Sequence, residues 1–170
     1  MKVSDAMAGW LKGKGVKYVF TVSGGADLHL IHSIEEAGIK IVCPQSEMAA
    51  GFAADAVARL GGVGVALATS GPGATNLITP MAASFYDSVP VLYLTGNQTT
   101  ERLNTHGTRQ YGFQATPIVE MVEQVTKWAE QVSHTGEALE VLERAYGHAT
   151  TGRKGPVLVD IPDDIQRAQC

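Results

Sequence analysis

Two short segments of this sequence carry residues whose types and spacing could do chemistry. The first places Glu47 just after Cys43 and Pro44, at the head of a helix-like run of small residues. The second, Ser70-Gly-Pro-Gly-Ala-Thr-Asn76, is a glycine-rich turn that follows the next apolar run. In a parallel α/β sheet both segments would lie at the carboxyl ends of strands, where such sheets bind ligands.

Glu47 has an ordinary explanation and a functional one. An acid in the first turn of a helix is favoured by the helix dipole by about 0.3–1 kcal/mol, which alone could account for it. Its neighbours Met48, Ala49, Ala50 and Gly51 are small or apolar. A carboxylate among such side chains is poorly solvated and could hold or share a proton near neutral pH. This setting makes Glu47 the leading candidate for a catalytic acid.

The glycine-rich turn ending at Asn76 suits an anion by physical reasoning alone. A turn of this kind exposes backbone N–H groups at a helix N-terminus, where phosphate binds well. It has neither the Gly-Lys-Ser/Thr of a Walker loop nor the GxGxxG pattern, so a plain strand-to-helix turn is an equal alternative. Ser23-Gly24-Gly25-Ala26 is a second such turn after the first apolar run.

A polar segment between residues 99 and 114 contains further candidates. His106 lies there with Arg109, Gln110 and Gln114, and the segment has no apolar periodicity. It is long for a connection in a compact domain, and loops over strand ends often carry function. We therefore expect His106 and Gln114 to lie on the substrate side of the site.

Other ionisable residues favour structural roles. His29 and His32 are three residues apart, as metal ligands on one helix can be, but no third ligand is close in sequence. Asp160 and Asp163 flank Pro162 after the last apolar run, and we expect them to be surface or capping residues. The sequence therefore predicts no metal site.

Alternating apolar runs and helical patterns predict a single doubly wound α/β domain with helices on both faces of a mainly parallel sheet of about six strands. The predicted strands are Tyr18–Val22, Ile39–Cys43, Val63–Thr69, Val89–Thr95, Val125–Ala129 and Pro156–Ile161. One long helix is expected from Gly73 to about Ser88. We place the domain at residues 1–165 and expect residues 166–170 to be a tail or the start of a linker.

Composition narrows the class of protein. The chain has 170 residues, a net charge of −4 and 45% hydrophobic residues, which is typical of one globular domain. It has no basic stripe, no apolar run long enough to cross a membrane and no signal-peptide pattern, so we expect neither nucleic acid nor membrane as a partner. Two distant cysteines suggest no disulfide and favour a cytoplasmic protein.

Five segments form a recognisable set in order along the chain. They are Ser46-Glu-Met-Ala-Ala50, Thr69-Ser-Gly-Pro-Gly-Ala-Thr-Asn76, Tyr86-Asp-Ser-Val-Pro-Val-Leu-Tyr-Leu-Thr-Gly96, Gly112-Phe-Gln114 and Gly155-Pro-Val-Leu-Val-Asp-Ile-Pro162. Together they resemble the N-terminal, pyrimidine-binding domain of thiamine-diphosphate enzymes, and the acetolactate synthase branch in particular. The resemblance covers essentially the whole chain.

The resemblance implies a role for each matching position. Glu47 matches the glutamate that hydrogen-bonds N1′ of the aminopyrimidine and stabilises its imino form, so that the 4′ nitrogen can remove the thiazolium C2 proton before attack on a 2-oxo acid. Gln114 matches a glutamine at the mouth of the active site. The positions that match residues around the pyrimidine ring are Val22, Gly24, Pro72 and Asn76.

The resemblance also implies that this chain forms half of a site. In the family, the diphosphate and its Mg²⁺ are held by a different domain with a Gly-Asp-Gly motif, which this sequence does not contain. The chain alone should then bind the cofactor weakly and be inactive, and pairing of pyrimidine domains suggests a homodimer. It would be either a truncated chain or a subunit of a split decarboxylase, like the sulfopyruvate decarboxylases. A non-catalytic assembly module and a stand-alone nucleotide binder remain as alternatives.

Two positions depart from the family pattern. Many acetolactate synthase relatives have His before the glutamate, where this chain has Ser46. The first turn usually has Pro before its glycines, whereas here it reads Val22-Ser23-Gly24-Gly25. Both changes alter the surroundings of the pyrimidine and the substrate but keep the acid, so they bear on substrate identity more than on the cofactor.

Overall fold

The computed structural model describes residues 1–103, 109 and 112–170, and these form one parallel sheet covered by helices. The strands are β1 (Tyr18–Val22), β2 (Lys40–Val42), β3 (Gly64–Ala68), β4 (Val91–Asn97), β5 (Trp128–Gln131) and β6 (Val157–Pro162). Their order in the sheet is β2-β1-β3-β4-β6-β5, and every pairing is parallel. The predicted α/β class and the sheet of about six strands are confirmed.

The helices connect the strands in the order expected of βαβ units. They are α1 (Val3–Gly13), α2 (Leu28–Glu36), α3 (Glu47–Arg59), α4 (Pro72–Asn76), α5 (Ile78–Asp87), α6 (Thr100–Leu103), α7 (Ile118–Val122), α8 (Ala138–Thr150) and α9 (Asp163–Arg167). Short 3₁₀ turns lie at Glu123–Val125 and Thr135–Glu137. Residues 104–108, 110 and 111 lie outside the described part of the chain.

The sheet separates two hydrophobic layers because successive strand residues point to opposite faces. On one face, Leu92 and Leu94 of β4 belong to a core formed with α1, α2, α8 and α9. On the other face, Val91 and Tyr93 belong to a core formed with α3, α5 and α7. Burial on both faces explains why the strands read as continuous apolar runs in the sequence.

Helix α3 lies very close to strand β3, and this contact fixes where Glu47 sits. A Cβ atom built on Gly64 would lie 1.9 Å from the carbonyl oxygen of Ala54, so only glycine fits there. On the same helix, Gly51 packs against the ring of Pro80 in α5. The run of alanine and glycine in α3 therefore serves close packing against the sheet.

The helix predicted from Gly73 to Ser88 is interrupted at Leu77 and forms α4 and α5. Pro80 accounts for the break, since it has no N–H to donate to the carbonyl of Asn76 and its ring would clash with that carbonyl. The break lets α4 end at Asn76, whose side chain turns back toward Glu47. The prediction of one continuous helix from Gly73 to Ser88 was therefore wrong.

The C-terminal segment differs from the expected tail. Gln166 is fully buried at 0% exposure and belongs to α9. Gln169 pairs with Lys2 in a short antiparallel bridge, so the two ends of the described chain meet. Gln166 is therefore part of the packed fold, while the domain limits at 1–165 and 166–170 stay predictions.

Two kinds of feature are absent from the described residues. None of the helices in this part of the chain is long and apolar enough to cross a membrane. No group of three or more His, Cys, Asp or Glu side chains comes together within the described ranges in a way that could hold a metal ion. His29 instead lies 3.9 Å from a carboxylate oxygen of Asp163.

Replacing Gly64 with alanine should lower the free energy of unfolding by about 1–3 kcal/mol, because the added methyl group forces α3 away from β3. Urea denaturation of the purified chain measures this change. Gly9→Ala is the matched control, since Gly9 lies in α1 and a methyl group added there would meet no atom within 4 Å. The Gly9→Ala control should leave the free energy of unfolding unchanged or raise it slightly. Equal destabilisation of both variants would contradict the close contact between Gly64 and Ala54.

Candidate functional site

The carboxyl ends of the central strands open into a cavity of about 670 Å³. Its walls come from the turns after β1, β3 and β4 and from α9. The lining includes Gly25, Ala26, Thr69, Ser70, Asn97 and Gln114. This is the edge of a parallel sheet where ligands bind. Among the predicted site residues, Gln114 lines the cavity, whereas Val22, Gly24, Glu47, Pro72 and Asn76 are not part of its lining.

Glu47 and Asn76 are joined by a hydrogen bond across the start of α3 and the end of α4. Glu47 begins α3, and the hydroxyl of Ser46 caps that helix by accepting from the backbone N–H of Ala49 at 3.2 Å. Asn76 ends α4, and its Nδ2 donates to Oε2 of Glu47 at 3.0 Å. The other oxygen, Oε1, lies 3.6 Å from where a Cβ on Gly73 would be, so the carboxylate faces the glycine-rich turn.

The carboxylate is only half-buried in this chain, which differs from the dry setting expected from the sequence. The small residues Ala50 and Ala54 face the sheet and are fully buried. Met48 and Phe52 point outward from α3 and are each 44% exposed. Of the four neighbours expected to surround Glu47, Ala50 and Gly51 are buried and Met48 and Ala49 are exposed, so these small side chains do not enclose the carboxylate.

Thr69 holds the two glycine turns at a fixed separation. Its side chain fills the space where Gly24 would carry a Cβ, since all three of its side-chain atoms lie within 2.3–2.7 Å of that position. Its methyl carbon lies 2.8 Å from the Cβ position of Gly73 on the other turn. Its hydroxyl accepts a hydrogen bond from the N–H of Ala26 at 3.1 Å. Glycine is thus required on both sides of one threonine.

The geometry argues against an anion at the glycine-rich turn before α4. Helix α4 has only five residues, so its dipole is weak. The nearest charge to Gly73 is the carboxylate of Glu47, whose Oε1 lies 3.6 Å from the Cβ position of that glycine. A phosphate placed there would be repelled by this acid, and the nucleotide-binding alternative loses its support.

The remaining predicted site residues lie around the same edge. Val22 ends β1 beside Ala68, and Pro72 is the exposed first residue of α4. Gln114 is exposed with a φ of 59° and packs against Gly71, whose Cβ position lies 2.8 Å from the Cβ of Gln114. His106 lies outside the described residues, so its placement on the substrate side stays a prediction.

Asp27, next to the first glycine turn, is an acid that was not among the residues predicted for the site. It is fully buried, and its Oδ1 accepts from the N–H of Gly24 at 2.9 Å, while Oδ2 is buried without a hydrogen-bond partner. Burial, and secondarily the charge of Glu47, raise the pKa of Asp27 to about 6. An aspartate directly after the Gly-Gly-Ala turn was the signal that could have identified it.

Asp160 was expected to be a surface or capping residue, and the structure shows it fully buried within strand β6 instead. Its carboxylate accepts from Thr95 at 2.6 Å, Asn97 at 2.8 Å and Gln131 at 2.6 Å, and burial raises its pKa. Asn97 also donates to the carbonyl of Thr116 at 3.1 Å. This network ties the ends of β4, β5 and β6 to the segment that carries Gln114.

Comparison with known proteins gives a consistent result. Residues 1–121 match the family described as thiamine pyrophosphate enzyme, N-terminal TPP binding domain. The chain is 39% identical over 168 residues to a chloroplastic acetolactate synthase of Arabidopsis thaliana, which covers 98% of this chain and 24% of the relative. It is 37% identical to a probable acetolactate synthase large subunit of Methanocaldococcus jannaschii, covering 98% of this chain and 27% of that protein.

A third relative, an acetolactate synthase of Arthrospira platensis, is 41% identical over 164 residues, covering 94% of this chain and 28% of that protein. The chain therefore spans about a quarter of the length of the curated relatives it matches. The similarity extends beyond the matched family segment and includes β6 and α9.

The Thr69 contact predicts a specific pair of compensating substitutions. Gly73→Ala alone should lower the free energy of unfolding by about 1 kcal/mol, because its methyl meets that of Thr69 at 2.8 Å. Adding Thr69→Ser removes the obstructing methyl and keeps the hydroxyl, so the double variant should recover most of this loss. Urea denaturation of all four proteins measures the coupling, and simple additivity would contradict the proposed contact.

The buried acid predicts a pH-dependent stability. Because the folded pKa of Asp27 is raised from 3.8 to about 6, the folded state holds this proton more tightly than the unfolded chain does. The protonated Asp27 therefore adds to the free energy of unfolding. This contribution is fully present below pH 4 and is lost as pH rises through 6, and it amounts to on the order of 3 kcal/mol at most. Asp27→Asn should abolish this decline and be more stable than the parent above pH 6.

Urea denaturation between pH 4 and 8 measures this difference. Asp87→Asn is the control, since the Asp87 side chain is 58% exposed, and it should leave the pH profile intact. If the free energy of unfolding changed with pH in the same way for the parent and for Asp27→Asn, the prediction of a raised pKa for Asp27 would be wrong.

Proposed function

Because the chain belongs to the family of thiamine pyrophosphate enzyme N-terminal domains, we propose that Glu47 is its cofactor-activating acid and that Asn76 orients it. The observation that carries this proposal is the hydrogen bond from Asn76 Nδ2 to Glu47 Oε2 at 3.0 Å, beside the turn that contains Gly73. In the other turn, no atom lies within 4 Å of the Cβ position of Gly25, so a flat ring has room there. With one oxygen held by Asn76, the other is free to bond a ring nitrogen of a ligand. The residues present therefore fit an aminopyrimidine.

Thiamine diphosphate, when bound, would supply the carbanion chemistry for cleaving a bond next to the carbonyl of a 2-oxo acid. The contribution of this chain is placement and proton control. Glu47 would hold or release a proton at the pyrimidine nitrogen, and its bond to Asn76 keeps Oε1 directed toward Gly73. Val22, Gly24 and Pro72 would form the walls around the ring through the two turns.

The open side of the site supports a requirement for a second domain. Glu47 is half-buried, and Met48 and Phe52 expose apolar surface beside it. A carboxylate controls proton transfer better when water is excluded, so we infer that a diphosphate-binding domain covers this face. That partner would also hold the diphosphate and Mg²⁺, since the described residues of this chain offer no cluster of metal ligands.

The substrate assignment follows the relatives named as acetolactate synthases. We propose decarboxylation of a 2-oxo acid, with transfer to an acceptor, as in a lyase or transferase of that kind. We propose Gln114, which packs against Gly71, as a residue on the substrate side, and we propose the same role for His106. We also propose that the protein forms a homodimer through its pyrimidine domains and is cytoplasmic. We propose no nucleic acid or membrane partner.

Glu47→Gln is the decisive variant because it keeps the size and the bond to Asn76 but removes the acid. We expect the chain, combined with a diphosphate-binding domain, thiamine diphosphate and Mg²⁺, to decarboxylate pyruvate. Glu47→Gln should lower that rate by about 10²–10⁴-fold. Glu36→Gln, an exposed acid at the end of α2, is the control and should retain full activity.

The alternatives give different results in the same assay. Full activity of Glu47→Gln would remove this acid from the mechanism. A folded parent chain that no diphosphate-binding domain activates would favour a non-catalytic assembly module. Activity restored only by a separate natural subunit, with release of aldehyde and no transfer to an acceptor, would favour a split 2-oxo acid decarboxylase.

A further inference from the structure

The buried side chain of Gln166 connects helix α9 to the first glycine turn. Its Nε2 donates to the carbonyl of Ala26 at 2.7 Å and to the carbonyl of Ile161 at 2.7 Å. Both N–H groups of the amide are therefore used, and the residue is 0% exposed. The bond to Ala26 joins residues 140 positions apart in the chain.

Ala26 is held from three directions, and Gln166 supplies one of them. Its N–H donates to the hydroxyl of Thr69, and its carbonyl lies against β4, where a Cβ on Gly96 would be 1.8 Å from the oxygen. Gln166 bonds that same carbonyl. The turn from Gly24 to Asp27 thus has its position set by β3, β4 and α9 together.

The chemistry of Gln166 indicates a directed role rather than space filling. Its Oε1 is buried without a hydrogen-bond partner, as is Oδ2 of Asp27. Burying an amide oxygen in this way is unfavourable, so an apolar side chain would serve better if only packing were needed. What an apolar residue cannot do is donate to the two carbonyls, at the ends of β6 and of the turn.

We propose that Gln166 is a positioning residue that fixes the first glycine turn for ligand binding. Loss of its donors would leave the Ala26 carbonyl unpaired and free the turn to move, with Gly24 and the wall it forms. The functional part of this inference rests on the proposed pyrimidine site, whereas the structural part does not. Displacements of the chain around residue 166 would be passed to the first glycine turn through this side chain.

Amide hydrogen exchange in the 170-residue chain tests the structural part. Gln166→Met keeps the length of the side chain without its donors. It should speed exchange of the Gly24 and Ala26 amides at least tenfold relative to amides of β3 such as Val65, which report global opening. Gln169→Met is the matched control, because Gln169 lies in the same segment but is exposed, and it should change neither.

Equally faster hydrogen exchange at all amides would overturn the proposal. Unchanged exchange at Gly24 and Ala26 would overturn it as well. A measurement on the parent chain covers the case in which Gln166→Met does not fold. A through-hydrogen-bond scalar coupling between the Gln166 side-chain nitrogen and the Ala26 carbonyl carbon is expected, and its absence would also overturn the proposal.

The functional part is tested in the assembly with a diphosphate-binding domain. Gln166→Met should raise the KM for thiamine diphosphate about tenfold with less than a twofold change in kcat, while Gln169→Met should change neither. A parent assembly that does not bind the cofactor would refute the proposed function and leave the exchange result standing. Faster exchange with an unchanged KM would overturn the positioning role and leave the proposed function intact.

Discussion

The side chain of Thr69 is the spacer on which the geometry of this site depends. It lies between two backbone turns that carry no side chains where they meet it, and its hydroxyl holds one of them by a hydrogen bond to Ala26. Because protein interiors are close-packed, a threonine in this position limits how closely the two turns can approach each other. The hydrogen bond between Glu47 and Asn76 then closes the same edge from the side of α3 and α4.

The surroundings of Glu47 differ between the two sides of its helix. Its helix is capped, its carboxylate is oriented and its neighbours on the sheet side are packed, yet the opposite side is open. Met48 and Phe52 are each 44% exposed on the outer face of α3. A relative about four times longer has ample chain to cover such a face.

The parts of this site that the sequence predicted are those encoded locally. Ser46, Glu47 and the turn before Asn76 are recognisable because capping and tight turns depend on residues a few positions apart. Asp160 and Gln166 were misjudged because their partners, such as Thr95 and Ala26, are 65 and 140 residues away. No periodicity reports that kind of contact. The break at Leu77 could have been predicted from the sequence, because Pro80 is only three residues away and proline interrupts a helix.

The position of β6 in the sheet has a consequence for the newly made polypeptide. This strand is synthesised after the other strands of the sheet, yet it lies between β4 and β5 and is the strand with which β5 pairs. Until residues 157–162 leave the ribosome, the long apolar β4 has an open edge, and such edges recruit other chains. Folding must therefore wait for β6, and a nascent chain stalled before it would be prone to aggregation.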